Sequence, residues 1–376
     1  MRRTPALLSL SPVILLRAAL TLALLITLAP TLAHAQQQNA PLAAEKIKLI
    51  EAAIASEMSR QNIPAVSVAV VTNNALRWSG GYGFADLENF VPAKAGTVYR
   101  LASISKPITA ATVMQLVERG KLDLDAPIQK YCPAFPVKQW PVTARHILGH
   151  LSGIRHYKSE EEFASTRHYD SIEAGLAMFK DEPLLHEPRA KYTYTTFGYS
   201  VLGCAVEGAS GQKFGDYVRE QVFKPAGMDR MRIDGIGDII LNRAQGYRRT
   251  RDGSLRNSDI ADNSYKIPGG GFVSTVEDLA KFAVAMNTNA ILKKETVEQM
   301  FTRQKLSDGK ETGYGLGWEV SLVEGQKIVG HSGAQQRVST MLQMIPDKGF
   351  AVVLMTNLED IRLRALANQI TEIVLK

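Results

Sequence analysis

Ser103-Ile104-Ser105-Lys106 places a hydroxyl and an amine three residues apart, one turn of a helix. A serine hydroxyl is a poor nucleophile until a neighbour takes its proton, and a lysine in an enclosed, partly apolar cleft is neutral enough to do so. The same spacing recurs at Ser210/Lys213 and Ser307/Lys310, but there it falls in Ser-Gly-Gln-Lys and Ser-Asp-Gly-Lys, which read as glycine turns. Only the first copy runs on into Pro107 and an apolar stretch, Ile108 to Leu116, that predicts a helix. A nucleophile at a helix start has backbone N–H groups aimed at the charge that develops on a substrate carbonyl. The plain alternative is that Ser103 is only an N-cap and Lys106 a surface residue.

Such a pair needs a frame. Residues 45–60 show helical spacing through Ile47, Ile50, Ile54 and Met58. After Pro64, residues 66–71 and 76–84 read as a β-hairpin turned by Asn73-Asn74. From about residue 104 to 286 the pattern is mostly helical, with glycine and proline breaks and no strand alternation. Residues 313–320, 327–330, 337–345 and 350–356 then read as antiparallel strands, and 361–375 as a closing helix. The expected fold is therefore α/β (α+β): an antiparallel sheet flanked by N- and C-terminal helices, with an inserted, mainly helical domain. Its parts are residues 36–100 and 287–376 for the sheet and 101–286 for the helical insertion that carries Ser103. Binding sites favour the junction of two such parts.

Composition excludes several functions. The chain holds 44 Lys and Arg against 37 Asp and Glu, for a net charge of +7. Arg2, Arg3 and Arg17, a short apolar run to Ala29 and Ala33-His34-Ala35 read as a secretory signal, with cleavage expected after Ala35 and export to the periplasm or medium. A retained membrane anchor is the alternative. Residues 1–35 contain those three arginines and no acid, so the remainder carries +4, too mild for nucleic-acid binding. No His-Glu-x-x-His run or paired Cys/His spacing occurs, so neither metal nor cofactor is expected. Cys132 and Cys204 could bridge in an exported protein, but Cys204 lies in an apolar run and is expected to be a buried, unbridged hydrophobe.

Further motifs follow Ser103 in order: His150-Leu151-Ser152-Gly153, Tyr194-Thr195-Thr196, Gly269-Gly270-Gly271 and Gly330-His331-Ser332-Gly333. With them the chain, from about residue 47 to 374, resembles the serine β-lactamase and penicillin-binding-protein superfamily. Within that superfamily it is most similar to the class C-type serine hydrolases, in the branch of the mitochondrial serine β-lactamase-like proteins and their bacterial relatives. The resemblance implies an acyl-enzyme formed on Ser103, with Lys106 as base and Tyr194 passing protons among nucleophile, leaving group and water. It also implies an oxyanion hole from the amides of Ser103 and Ala334, and a substrate-binding edge of Thr196, His331, Ser332 and Gly333. A packed tyrosine is the competing reading for Tyr194, because Tyr192 and Tyr199 crowd it. His150, Ser152, Gly153 and the 269–271 glycines read as packed turns, and residues 156–188 as a polar segment that covers the cleft.

Two departures from the superfamily pattern bear on substrate. Thr196 stands where asparagine is usual, and a hydroxyl lacks the two-donor amide. His331 replaces a lysine, so a charge for a substrate carboxylate is present only part of the time near neutrality. Peptidase or esterase activity on a small molecule or peptide is therefore expected ahead of β-lactamase or D-alanyl-D-alanine carboxypeptidase activity. A non-catalytic penicillin-recognition or self-assembling protein is the remaining alternative.

Overall fold

The computed structural model describes residues 41–376, so the expected signal segment lies outside the described residues. In chain order the strands are β1 (Ala65–Thr72), β2 (Ala75–Asp86), β3 (Val91–Pro92), β4 (Tyr99–Arg100), β5 (Arg232–Ile233), β6 (Tyr247–Arg249), β7 (Leu255–Asn257), β8 (Phe272–Ser274), β9 (Glu319–Val323), β10 (Gln326–Gln335), β11 (Val338–Ile345) and β12 (Phe350–Thr356). The main helices are α1 (Ala44–Gln61), α2 (Ser105–Glu118), α3 (Thr196–Ser210), α4 (Ile267–Gly270), α5 (Val276–Asn287) and α6 (Arg364–Leu375).

A seven-stranded sheet runs β3-β2-β1-β12-β11-β10-β9, with antiparallel neighbours throughout. Both ends of the chain meet in it, where Val66 pairs with Thr356 and Val71 with Ala351. The β1–β2 turn is Asn73-Asn74, both with positive φ (50° and 56°), a two-residue connection that suits the twist of a hairpin. β1 and β12 are buried almost throughout because both faces of the sheet are covered. α1 and α6 pack on each other and on the sheet, and α5 packs on β1, β2 and β12.

The helical part centres on α2, in which every residue from Ser105 to Leu116 is buried. Of its few polar side chains, Lys106, Thr109, Thr112 and Gln115 are all hydrogen-bonded, as burial inside a core requires. Pro107 falls in its first turn, where no N–H partner is needed. Among the described residues no helix is long and apolar enough to cross a membrane.

Three details correct the sequence reading. The middle of the chain does contain strands: β4, β8 and β5 form a small sheet and β6–β7 a hairpin, each strand only two or three residues long, too short for alternation to register. The strand expected at 313–320 begins at Glu319, after bends through Gly313, Gly315 and Gly317. Cys132 and Cys204 form a disulfide, with Cα atoms 5.4 Å apart. Gly208 lies one turn beyond Cys204 on α3, and its missing side chain leaves room for the Tyr131 carbonyl. That close approach of α3 to the 131–132 backbone brings the two sulfurs within bonding distance.

Candidate active site

The turn before α2 is fastened from several sides. Leu101 donates its N–H to Phe272 O (2.8 Å), and its carbonyl accepts from Thr340 Oγ1 (3.0 Å) and Ile104 N (3.2 Å). Ala102 is forced into the left-handed region (φ 49°), an uncommon conformation for a residue with a Cβ. Residues Ala102–Ile104 form a single 3₁₀ turn that α2 continues from Ser105, so Ser103 sits two residues ahead of the α-helix rather than at its first residue.

Lys106 follows on α2 with no exposed surface. Its Nζ lies 3.0 Å from Ser103 Oγ, 3.1 Å from Thr196 Oγ1 and 2.8 Å from Gly269 O. Burial, reinforced by the nearby Lys266, lowers its pKa well below that of an ordinary lysine. The Gly269 carbonyl is available because it ends α4, where carbonyls have no intrahelical partner. Three successive carbonyls there accept outside donors: Pro268 from Thr109 Oγ1, Gly269 from Lys106 and Gly270 from Gln335 Nε2. The glycine motif at 269–271 thus joins α2 to β10 and orients the lysine.

Tyr194 lies just before α3, and its ring centre is 4.8 Å from Lys106 Nζ. Desolvation raises its pKa well above 10, a rise that the hydrogen bond with Ser103 partly offsets. Two histidines set its backbone. His150 Nδ1 accepts from Thr195 N (3.1 Å) and His156 Nδ1 from Thr196 N (3.2 Å). The His150 ring also packs on Tyr194, with centroids 4.2 Å apart. Both rings must be unprotonated at Nδ1 to accept, and burial lowers both pKa values, that of His156 to about 4. The sequence reading of His150 as a packed turn missed this support for Tyr194, because the partners are far apart in the chain.

Along β10 exposure alternates: Ser332 and Ala334 reach solvent while His331, Gly333 and Gln335 are buried. Gly330 is the last β10 residue paired with β9, so residues 331–335 have a free edge beside the nucleophile turn. His331 is 2% exposed, its Nδ1–H donates to Ser332 O (2.6 Å), and its Nε2 accepts from Tyr314 OH (2.8 Å). Burial lowers its pKa to about 4, so at neutral pH it supplies no positive charge to a substrate carboxylate, contrary to the partial charge expected from sequence. Thr196 is likewise buried and engaged with Lys106 instead of facing solvent.

Ser103, Tyr194, Thr196, Gly269, His331, Ser332 and Ala334 line one cavity of about 440 Å³, together with His156, Tyr157 and Phe163 from the segment expected to cover the cleft. A larger cavity of about 620 Å³ lies between Val98 and Leu241, away from any paired nucleophile and base. Among the described residues no group of His, Cys, Asp and Glu is arranged to hold a metal ion.

Comparison with known proteins agrees with this geometry. Residues 50–375 match the family described as Beta-lactamase. The Homo sapiens mitochondrial serine beta-lactamase-like protein LACTB is 31% identical over 82% of this chain and 76% of its own length. The octameric penicillin-binding protein homologue from Pyrococcus abyssi superposes with a TM-score of 0.74 at 27% identity, over 85% of this chain and 75% of that one. D-amino acid amidase from Ochrobactrum anthropi shares the fold, with a TM-score of 0.76 at 22% identity over 88% of this chain and 99% of its own.

Proposed function

The chain belongs to the beta-lactamase family, and on that premise we propose that it is a serine acyl-hydrolase that cleaves amide or ester bonds through an acyl-enzyme on Ser103. The observation that carries this reading is the contact between Lys106 Nζ and Ser103 Oγ. A neutral amine has two N–H donors and one lone pair. Gly269 O can only accept and Thr196 Oγ1 takes the second N–H, which leaves the lone pair for the Ser103 proton.

In this reading Ser103 Oγ bonds to the substrate carbonyl carbon as its proton passes to Lys106. The oxyanion is held by the amides of Ser103 and Ala334, both on the wall of the same cavity. Tyr194, whose raised pKa keeps the phenol protonated, hands a proton to the leaving group as the scissile bond breaks and recovers one from Lys106. The neutral Lys106 then takes the proton of the deacylating water through Tyr194 and returns it to Ser103 Oγ as the acyl bond breaks. Ser332 and Gly333 offer the substrate backbone an edge. The neutral His331 and the occupied Thr196 support small esters or peptides over carboxylate-bearing β-lactams as substrates.

The test is covalent labelling with a fluorescent phosphonate, followed by peptide mapping. Adduct on Ser103 that disappears in Ser103→Ala supports the reading; absence of any adduct with hydrolysis of neither aryl esters nor D-alanyl peptides refutes it. We extend the proposal to export, supported by the Cys132–Cys204 bridge, which persists in oxidising compartments. Self-assembly is a compatible second reading, supported by the octameric Pyrococcus abyssi homologue, and light scattering on the purified chain tests it.

A further inference from the structure

Lys266 is the second buried lysine of this region, 1% exposed, and it immediately precedes α4, the helix whose Gly269 carbonyl holds Lys106. Its Nζ donates to Phe163 O (3.0 Å), which also accepts from Tyr265 OH (2.8 Å). The rings of Phe163, Tyr265 and Tyr157 surround it, with centroids 4.8, 5.1 and 5.5 Å from Nζ. Aromatic faces favour a cation, but no carboxylate lies within ion-pair distance of Lys266 among the described residues. Asp234, the acid that acts on it most strongly, is already paired with Arg100 (2.7 Å) and Arg243. Burying a lysine with so little compensation is costly, and a methionine would fill the same space without that cost.

We propose that Lys266 is a positioning residue of the Ser103 site: its charge keeps the Lys106 amine free of its proton, and its hydrogen bond holds the Phe163 wall of the cleft. The catalytic consequence rests on the acyl-hydrolase reading; the effect on Lys106 does not. Charged and titratable groups acting on Lys266 are Arg100, Asp234 and Glu160, with Tyr157 and Tyr265 beside it. Those around Lys106 are Lys266, His150, His156, His331, Tyr194 and Tyr199. The three histidines are neutral near pH 7 and the tyrosines protonated, so Lys266, half charged at pH 7 and fully charged below it, is the cation that acts on Lys106. Burial, then Arg100, lowers the pKa of Lys266 to about 7. Burial and then the Lys266 charge hold Lys106 well below an ordinary lysine, so removal of the Lys266 charge moves the Lys106 titration upward.

The experiment is an NMR pH titration of the full chain carrying ¹³Cε-labelled lysine, with the Lys106 signal assigned from its absence in Lys106→Arg. Lys266→Met and Lys266→Gln should each move the Lys106 midpoint to higher pH, and Lys266→Arg should leave it low. Two neutral replacements guard against one of them failing to fold, which near-ultraviolet circular dichroism reports. At pH below the midpoint, phosphonate labelling of Ser103 in the neutral variants should slow about tenfold for every pH unit by which that midpoint rises, and it should recover at higher pH. An unmoved Lys106 midpoint in a folded neutral variant, or slowing that is equal at every pH, overturns the proposal. Failure of the unmodified chain to label, with the midpoint displaced in the variants, overturns the acyl-hydrolase reading alone.

Discussion

Gly333 on β10 approaches Leu101 so closely that a Cβ at position 333 would lie 2.5 Å from the Leu101 carbonyl oxygen. The same Cβ would collide with Thr340 Oγ1, which donates to that carbonyl. The strand edge and the nucleophile turn are thus in backbone contact, and the cleft between them has a fixed width. We expect Gly333→Ala to destabilise the fold by about 2 kcal/mol, as overpacking does, and to cut turnover more than tenfold by displacing the turn. Thermal melts and ester kinetics check this, and near-normal values for both would show that the contact is not required.

Ser103→Ala removes the proposed nucleophile and one hydrogen-bond partner of Lys106. Turnover and phosphonate labelling should vanish while stability changes by about 1 kcal/mol, the scale of a single hydrogen bond. Lys106→Arg keeps a cation but cannot take a proton, so acylation should fall at least about 100-fold. Full activity of the arginine variant would assign the serine proton to another group.

Acid stability should follow the buried histidines. His156 and His331 titrate near 4 in the fold against 6.5 for the free side chain, and His150 is also lowered. With folded pKa values depressed, the unfolded chain takes up protons first as pH falls. Their contribution is intact above about pH 6.5 and is lost as pH drops through 4. Chemical denaturation between pH 7 and 4 should show a steady loss of stability, reduced in His156→Gln; a flat profile would contradict the assignment of neutral rings.

His331→Lys should not improve acylation by carboxylate-bearing β-lactams. The new ammonium would occupy a buried site, near Lys106, in place of a ring whose two nitrogens are already satisfied. Reduced stability is expected, and a gain in β-lactam acylation over the parent would restore the electrostatic role expected from sequence.

The Cys132–Cys204 bridge closes a loop with a sequence separation of 72. In the chain-entropy account such a crosslink is worth about 4 kcal/mol. Cys204→Ser should lower stability by that order under oxidising conditions. Identical denaturation midpoints with and without reductant in the parent protein would contradict it.

Much of this protein is legible in the order of its residues. The mostly apolar run after Pro107 reads as a core helix, which singles out Ser103 and Lys106 from two decoy copies of their spacing. The Asn-Asn turn and the valine-rich run before it likewise specify the β1–β2 hairpin, and the apolar runs at 338–345 and 350–356 specify β11 and β12. The state of the polar groups, by contrast, depends on packing across the fold. His331, His150 and Lys266 look alike in sequence whether solvated or buried. Desolvation by residues far away in the chain makes His331 and His150 neutral, and aromatic rings enclose Lys266. Short strands such as β4 and β8 exist because partners at 99–100 and 273–274 meet across the fold, and the disulfide because Gly208 lets α3 approach Tyr131. Periodicity reports which face of an element is apolar; it does not report which distant group removes the water from a charge.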